Sequence, residues 1–542
     1  MKYAGIRILQ LSYVLFALLL WPFLSTYVNN PDTFQYINIA QEYRTFHFSN
    51  AINGYWSPLI SWLLLLFPLK GLQAILSFKL LQLIIGFFAL SLWCRLSIKV
   101  ISDTNSRKFL QWLAVPFLLS YAFLYLSADL LFLTVLLWML DYFITQPIWN
   151  NTRRAVIAGI MASLLYFSKS FGFPMALLLL LLSVFHHGIT STRMSRYNLL
   201  QGFAVFLFMS GFWIFLLSSK YGHLTISEAA RLNVTKEVSP LSGQTVMLPV
   251  VYSEGLIAPT TSTSLSAWEE PLQAVQLTDQ YPLTRMTDAI KRLDVIQRNL
   301  LSIWYFDFRR QAGGLFLIMM ILVLIFNHRI INLRDPFIFY SLSIILLIYA
   351  GYSLILYHAR YSWICTLLMV LLGIKWSDSL FNSLSNGLKK LVWAVMLLFI
   401  LIAVKRPVKE LLFSQDESIS ASSLFSAILS PFQTMKQSYA EDRAIFETAA
   451  MLDTLHGPLA SRYSSNLDRP RYFASLLVAQ SCGQSYYGQA VIENAATGLS
   501  LKKNGIRYFL DWDHQEDSCF GHPPVFKNKT LSIFSADFSA KP

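Results

Sequence analysis

Charged residues and cysteines are scarce in this 542-residue chain, and each shortage excludes a class of protein. Only 13% of positions are charged and 55% are hydrophobic, a balance too apolar for a soluble enzyme of this length. The four cysteines form no CxxC motif and no HExxH motif is present, so a zinc site has no support in the sequence. The GxxxxGK[ST] phosphate-binding loop is also missing, which argues against an ATP-driven transporter.

Long apolar runs are what the chain contains instead. Because a helix needs ~20 apolar residues to cross a bilayer, these runs predict an all-α polytopic membrane protein with about eleven spans. The spans are expected near residues 8–27, 73–95, 109–124, 128–146, 155–170, 174–187, 199–218, 313–327, 337–356, 361–377 and 390–404. The first run follows basic residues but lacks a small-residue cleavage site, so we interpret it as a retained helix and not as a signal peptide.

The distribution of basic residues assigns the two sides of the membrane. With the N-terminus in the cytoplasm, the inner segments hold Lys2, Arg7, Arg95, Lys99, Arg107, Lys108, Arg153, Arg154, Arg193, Arg196, Arg329, Arg334, Lys375, Lys389 and Lys390. The short outer segments hold only Arg44, Lys70, Lys169 and Arg360. This bias satisfies the positive-inside rule and accounts for most of the +13 net charge, so nucleic acid is not indicated as a partner.

The same assignment predicts two units. A membrane unit, residues 1–404, includes the outer loops 29–72 and 219–312, and residues 405–542 form a second unit on the outer, periplasmic side. Residues 219–312 contain several prolines and a TTSTS run, which indicate irregular structure. Apolar residues at helical spacing nevertheless predict an amphipathic helix at 286–304, which would lie on anionic headgroups or cover the site as a lid.

The region after residue 404 has the composition of a soluble domain. A helix near 438–456, short apolar runs and a hairpin around Asn528 predict a small α/β fold. Cys482 and Cys519 both lie in this region. In an oxidising outer compartment they form a disulfide or stay as two free thiols, and the sequence leaves both possibilities open.

The outer loop 29–72 carries an acid at the start of a predicted helix. The Asn-Pro pair before Asp32 can cap and begin this helix, which we expect to end at about Phe46. The helix dipole favours an anion in the first turn, so Asp32 should be negatively charged at neutral pH. The apolar spacing suits a helix lying along the membrane surface, and a second helix from Pro58 to about Pro68 is too short to span.

The sequence of this loop resembles the first outer loop of GT-C superfamily glycosyltransferases. The resemblance rests on a membrane span, Asp32 in DTFQYINIAQEY, and then Asn53, Gly54, Tyr55, Trp56, Ser57 and Pro58. The signature is similar to that of lipid A aminoarabinose transferases, protein O-mannosyltransferases and related bacterial lipid-carrier glycosyltransferases. It implies two interfacial helices, a catalytic Asp32, and substrate contacts for Asn53, Tyr55 and Trp56. Judged on residue type alone, Asp32 would be a helix-capping aspartate.

Two further charged residues lie at predicted outer ends of spans. Asp129 stands where the chain turns between two spans. It is either a helix cap or, as an acid at the start of the fourth GT-C helix implies, a catalytic residue. Lys169 precedes a break at Gly172 and Pro174. It either snorkels to the headgroups or, as in a similar K-x-x-G boundary of the superfamily, faces the phosphate of a lipid-linked sugar.

The segment YHARYSW, residues 357–363, holds three candidate substrate-binding residues. His358, Arg360 and Tyr361 resemble the RY-containing boundary that many bacterial members of the superfamily have before a late helix. Arginine can bind phosphate through two parallel N–H groups, which suits a donor phosphate. A contact with lipid headgroups is the alternative for Arg360.

Two other acids are expected outside the site. Glu42 follows Asp32 by ten residues. That spacing is about 15 Å along a helix, so the two carboxylates cannot form a close pair. We expect Glu42 to be solvated or paired with Arg44 or with a lipid-facing group. Asp141 lies at the cytoplasmic end of its span and is expected to be structural.

The resemblance implies an inverting glycosyltransferase of the bacterial inner membrane. It would pass a sugar from a polyprenyl-phosphate donor to a lipid, glycan or protein acceptor at the outer face, in contact with membrane lipids. Asp32 would orient or deprotonate the attacking hydroxyl, while Lys169 and Arg360 would stabilise the departing phosphate. Asp129 would orient the acceptor or hold a divalent metal, and no other cofactor is expected. A transporter or flippase of lipid-linked sugars and a non-catalytic assembly subunit are the alternatives.

Overall fold

The computed structural model describes most of the chain. The described residues are 2–190, 195–238, 255–271, 286–309, 313–327, 332–381, 387, 394, 398, 404–414, 421–463, 469–490, 495–512 and 523–536. Helices dominate this part of the chain, and a small sheet lies towards its C-terminal end. The predicted class, an all-α polytopic membrane protein with a small C-terminal α/β region, is confirmed.

The first half of the fold is helical throughout. Its helices are α1 (Lys2–Leu24), α2 (Asp32–Arg44), α3 (Phe48–Ala51), α4 (Pro58–Leu64), α5 (Gln73–Val100), α6 (Thr104–Leu124), α7 (Asp129–Thr145), α8 (Thr152–Ser168), α9 (Gly172–Thr190), α10 (Arg196–Tyr221) and α11 (Ala229–Val238). The second half adds α12 (Met286–Ile303), α13 (Gly313–Asn327), α14 (Pro336–Ser353), α15 (Trp363–Phe381), α16 (Ala421–Leu429), α17 (Pro431–Ser438), α18 (Ala440–Ala450), α19 (Arg469–Cys482) and α20 (Ala495–Lys503).

The predicted spans coincide with helices of the structure. Within the described residues, α1, α5, α9, α10 and α14 are long and apolar enough to cross a membrane by length and composition. The spans predicted at other positions up to residue 377 coincide with α6, α7, α8, α13 and α15. The last predicted span, 390–404, lies almost entirely outside the described residues.

Polar and small side chains hold the membrane helices together. Lys79 of α5 is fully buried, and its ammonium donates hydrogen bonds to the carbonyls of Leu24 (2.7 Å), Tyr27 (2.5 Å) and Phe123 (2.8 Å). It therefore ties the C-terminal ends of α1 and α6 to α5. At the crossing of α8 and α10, a Cβ on Gly159 would lie 2.3 Å from the Gly202 carbonyl oxygen. Only glycine allows this close approach of two backbones.

The helix that carries Asp32 is enclosed by protein. Helix α2 is buried along most of its length, including its polar residues Gln35 and Asn38. Its neighbours are α3, α4, α5 and residues 263–269 of the loop 219–312, which we call the insertion. We expected its surface to meet lipid headgroups, and the difference arises because the insertion folds back over the first outer loop.

The sheet combines the insertion with the C-terminal region. Its strands are β1 (Gly255–Leu256), β2 (Leu459–Arg462), β3 (Tyr486–Ala490), β4 (Tyr508–Asp511), β5 (Phe526–Lys527) and β6 (Ser532–Ser535), in the order β1-β3-β2-β4-β6-β5. Strand β2 is parallel to β3 and β4, and the other pairs are antiparallel. The predicted hairpin around Asn528 is β5–β6. Because β1 pairs with β3, the insertion and the C-terminal region lie on the same side of the bilayer.

Two further expectations concern the insertion and the C-terminal region. The amphipathic helix predicted at 286–304 is α12, which packs against α11 and α14. Its Asn299 donates to the Ser353 carbonyl at 3.0 Å, so one of its faces covers protein. Cys482 is a free thiol in the described part of the chain, while Cys519 lies outside it.

Candidate functional site

Four charged residues from four separate elements meet at one end of the helix bundle. Asp32 and Asp129 are the first residues of α2 and α7, and Lys169 follows the last residue of α8. Arg360 lies in a 3-10 turn, Ala359–Ser362, directly before α15. Each residue stands at a helix terminus on the same side of the bundle, so the helical hairpins bring them together. We call these four residues the ion cluster.

Arg360 bridges the two acids. Its Nη2 is 2.7 Å from Oδ2 of Asp32 and its Nε is 3.4 Å from Oδ2 of Asp129. The side chain is 23% exposed, and those of Asp32 and Asp129 are 11% and 6% exposed. Burial lowers the pKa of Arg360, but the two carboxylates outweigh it and hold that pKa well above its ordinary value. The guanidinium is therefore a fixed positive charge.

Lys169 completes the ion cluster through Asp129. Its ammonium forms a short ion pair with Oδ1 of Asp129, and the Ser127 hydroxyl donates to Oδ2 of Asp129 at 2.8 Å. The two acids and the two bases cancel in formal charge. A buried cluster with no net charge escapes most of the cost of an isolated charge in a membrane protein.

Aromatic rings cover the basic side of the ion cluster. The Lys169 ammonium lies 3.5 Å from the centre of the Tyr361 ring and 5.3 Å from that of Tyr352. Those two rings stack at 4.6 Å, and the His358 ring meets Tyr361 edge-on at 5.3 Å. Cation–π contacts of this kind fix the lysine in place. The predicted residues His358, Arg360 and Tyr361 thus all lie at the ion cluster or directly beside it.

A tryptophan of the insertion reaches the ion cluster from the other side. Trp268 Nε1 donates a long hydrogen bond, 3.5 Å, to Oδ1 of Asp32. The ring of Trp268 packs edge-on against Tyr55 and Trp56, with centroid distances of 5.3 and 5.9 Å. The loop prediction found Tyr55 and Trp56 but missed Trp268. The only sequence signal for it is an aromatic residue between polar residues in the run SAWEE.

Asn53, another predicted substrate contact, organises the turn that presents these rings. Its Oδ1 accepts hydrogen bonds from the backbone N–H groups of Tyr55 (2.8 Å) and Trp56 (2.9 Å). Its Nδ2 donates to the Glu269 carbonyl at 2.7 Å. Asn53 is 2% exposed, so in this state its polar atoms serve the protein backbone.

Buried acids also lie along the other part of α2. Glu269 is 1% exposed and accepts a hydrogen bond from Asn38 Nδ2 at 2.6 Å. Burial raises the pKa of Glu269 to about 8, although the Asn38 hydrogen bond lowers it. Glu42 is 3% exposed and contacts His47 Nδ1 at 3.2 Å. The expectation of a solvated or Arg44-paired Glu42 is wrong, because Arg44 donates to backbone carbonyls.

Two sequence-based expectations remain: that Asp141 is structural, and that Asp129 could hold a divalent metal. Asp141 pairs with Arg95 (2.8 Å) and Lys99 (2.5 Å) at the opposite end of α7 from Asp129, outside the ion cluster. Among the described residues, no three acidic, histidine or cysteine side chains form a group that suits a metal. Both acids of the ion cluster are instead engaged by cations, so a divalent ion on Asp129 would have to displace Lys169 or Arg360.

The fold and the ion cluster together define a multi-pass membrane protein with an enclosed charged site at one face. The chain matches the crystal structure of ArnT from Cupriavidus metallidurans in the apo state with a TM-score of 0.50 and 13% identity, over 98% of each chain. It matches that of ArnT from the same organism bound to undecaprenyl phosphate with a TM-score of 0.51 and 14% identity, over 98% of this chain and 99% of that one.

At these identities the matches show the fold alone, which this chain shares with ArnT over nearly its whole length. The resemblance predicted from the first outer loop is confirmed at that level. No protein-family model matches the sequence, and no curated protein matches it significantly.

Proposed function

We propose that this protein is an inverting glycosyltransferase of a bacterial inner membrane that uses a polyprenyl-phosphate-linked sugar. One observation carries the proposal: Lys169 and Arg360, two basic residues at one enclosed site, each contact an acid of that site. The fold supports the donor class, because an ArnT structure of the same fold contains undecaprenyl phosphate.

The two bases are suited to a lipid-linked phosphate. Charge-assisted contacts from a guanidinium and an ammonium are the usual ligands of phosphate in proteins. In the state described here, Asp32 and Asp129 occupy these donors. A donor phosphate that enters the ion cluster would take Arg360 from Asp32. Donor binding would therefore release the Asp32 carboxylate at the moment when the donor is in place.

The released carboxylate has a defined task in the reaction. The acceptor hydroxyl oxygen attacks the anomeric carbon, and the carbon–oxygen bond to the phosphate breaks with its electron pair leaving on the phosphate. The hydroxyl proton passes to Asp32. Lys169 and Arg360 stabilise the charge that develops on the departing phosphate, so no acid is needed to protonate it. Asp129 holds Lys169 in place and is available to orient the acceptor.

An apolar cavity beside the ion cluster is suited to the lipid chain of the donor. The cavity has a volume of about 510 Å³ and is lined mainly by apolar residues of α9 and α14, among them Met175, Leu178 and Leu347. Arg231 of α11 and Arg292 of α12 also line it. It begins at Phe171, two residues after Lys169, and the Phe171 ring packs on Tyr352 at 4.4 Å. A chain bound there would have its phosphate next to Lys169.

The sidedness of the protein belongs to the same proposal. We infer that the N-terminus is cytoplasmic, that the ion cluster faces the periplasm, and that residues 405–542 form a periplasmic unit joined to the membrane unit 1–404. The excess of basic residues in the opposite loops supports this orientation. The acceptor would then be met outside the cytoplasm, in contact with membrane lipids.

Turnover by the purified protein tests the proposed function. Protein in detergent is supplied with radiolabelled polyprenyl-phosphate sugar and an envelope lipid and protein extract as acceptor. We expect label to move to the acceptor. Asp32→Asn should stay folded, with a melting temperature somewhat below that of the parent because Arg360 loses its nearer carboxylate. It should lose ~10²- to 10⁴-fold in turnover, as expected when a general base is lost. Asp141→Asn, the same change at the far end of the bundle, is the matched control and should stay active.

The same assay separates the alternatives. A flippase would move the labelled donor across proteoliposomes without consuming it, and an assembly subunit would do neither. Full turnover by Asp32→Asn would mean that Asp32 only stabilises the start of its helix and that the ion cluster takes no part in the reaction.

A further inference from the structure

Residues 264–270 of the insertion, here called the strap, are held from the side of the C-terminal sheet. The backbone N–H of Tyr486 in β3 donates to the Leu265 carbonyl at 2.7 Å, and the Ser485 hydroxyl donates to the Ser264 carbonyl at 2.9 Å. Just before the strap, the Ile257 N–H donates to the Tyr487 carbonyl at 2.8 Å. The insertion thus forms an edge of that sheet.

The strap also forms side-chain hydrogen bonds with α2. Gln35 Nε2 donates to the Ser266 hydroxyl at 3.1 Å, and Asn38 Nδ2 donates to Oε2 of Glu269 at 2.6 Å. Trp268 Nε1 reaches Oδ1 of Asp32 at 3.5 Å. The three α2 residues in these contacts are spaced by three, so they form one polar stripe along the helix.

This stripe makes the orientation of α2 depend on the strap. Gln35 is fully buried and Asn38 is 5% exposed, so their amides have no water to replace the strap. A buried amide that loses its partner is left desolvated without a compensating hydrogen bond, which is unfavourable. Rotation of α2 away from the strap would break both amide contacts together. It would also move Asp32, the first residue of the helix.

We infer that the C-terminal sheet positions Asp32 through the strap, with Trp268 as a positioning residue. The inference rests on the catalytic role proposed for Asp32. Arg360 holds one oxygen of this carboxylate and Trp268 holds the other. Once a donor phosphate takes Arg360, Trp268 is the side-chain donor that remains on Asp32 among the described contacts. It then fixes the direction in which the carboxylate meets the acceptor hydroxyl.

Hydrogen exchange tests the mechanical part of this inference without any substrate. A release variant, Ile257→Pro with Ser485→Ala, removes two hydrogen bonds between the insertion and the sheet and changes no residue that contacts Asp32. In detergent, the amides of residues 32–44 should exchange roughly tenfold faster in this variant than in the parent. Trp138→Phe, on an exposed face of α7, is the matched control and should leave exchange unchanged.

Kinetics tests the positioning role of Trp268. Trp268→Phe keeps an aromatic ring against Tyr55 and Trp56 but lacks the N–H. We expect kcat for transfer to fall about 5- to 20-fold, with the donor KM within about twofold of the parent, because the contact acts on the base and not on the phosphate. The release variant should lower kcat in the same way. Combining it with Trp268→Phe should add little, since both changes act through one chain of contacts.

Defined outcomes overturn the inference. Faster exchange confined to the insertion, with residues 32–44 unchanged, would show that the strap does not hold α2. Losses of kcat that multiply in the combined variant would show that the sheet and Trp268 act independently. If the parent protein transfers no sugar, the proposed function fails, while hydrogen exchange still decides whether the sheet holds α2.

Discussion

Removal of the Asp32 charge should strengthen the binding of the lipid phosphate while it abolishes transfer. Asp32 and an incoming phosphate compete for Arg360, which now lies 2.7 Å from the Asp32 carboxylate. A hydrogen bond between charged groups is worth ~1.5 to 3 kcal/mol, and one to a neutral amide ~0.5 to 1.5 kcal/mol. The free-energy difference between the Arg360 contact with a carboxylate and that with an amide decides the effect. Because Arg360 is 23% exposed, solvent screens the charge, and we take this difference as ~1 kcal/mol. That difference is about fivefold in affinity.

The assay is a titration of the detergent-purified protein with sugar-free polyprenyl phosphate, followed by native mass spectrometry. Asp32→Asn should bind about fivefold more tightly than the parent, and Arg360→Gln should bind about 10- to 100-fold more weakly, because it loses a charged phosphate ligand. Asp141→Asn should match the parent, since its partners Arg95 and Lys99 lie at the opposite end of the bundle. Binding by Asp32→Asn that is weaker than that of the parent would refute the competition.

Three further predictions concern the ion cluster, the strap and the topology. Asp129→Asn should lower the melting temperature by several degrees because it leaves the Lys169 ammonium without its carboxylate, and adding Lys169→Gln should restore part of the loss. The raised pKa of Glu269 means that the folded protein favours its neutral form, so between about pH 5 and pH 8 the parent should lose melting temperature relative to Glu269→Gln as the pH rises. Cysteines placed at exposed Ser262 and Ser500 should both react with an impermeant maleimide in cells with a permeabilised outer membrane.

Each of these measurements has an internal control. Asn105→Cys, at an exposed position in the first turn of α6, should react with the maleimide only after lysis. Labelling at only one of Ser262 and Ser500 would contradict the shared side of the insertion and the sheet. A melting difference between parent and Glu269→Gln that does not change with pH would mean that Glu269 is ionised in the folded protein. Equal melting of Asp129→Asn and the parent would mean that Lys169 has another partner.

The main members of the site were predictable because hydropathy fixes where the spans end. Asp32, Asp129, Lys169 and Arg360 each adjoin an apolar run, and the positive-inside rule assigns all four ends to one side. Residues at the same end of neighbouring helices lie close together when the helices pack side by side. The sequence does not specify their pairing. That Arg360 bridges both acids, while Lys169 contacts only one, follows from the packing of helices far apart in the chain.

The burial of the insertion could not be predicted from its local sequence. Trp268 and Glu269 lie in a stretch whose composition is that of a solvent-exposed loop, yet they are 7% and 1% exposed. Their burial depends on pairing between β1 and β3, two strands more than 200 residues apart. The same long-range contact explains why Glu42 is buried, since α2 is covered by the insertion and not by water. The spacing of apolar residues within α2 does not show that a distant segment of the chain covers the helix.

The contacts of the two acids support different tasks for them in the proposed reaction. Asp129 accepts the Ser127 hydroxyl, pairs with Lys169 and faces Arg360, so three donors hold it. An acid held by several donors is a poor proton acceptor, because each donor stabilises its charged form. Asp32 has side-chain contacts from Arg360 and, over 3.5 Å, from Trp268. Once a phosphate takes Arg360, Asp32 keeps one weak donor while Asp129 keeps its lysine. Donor binding would therefore free the Asp32 carboxylate selectively, so that it can meet the acceptor hydroxyl in the proposed reaction.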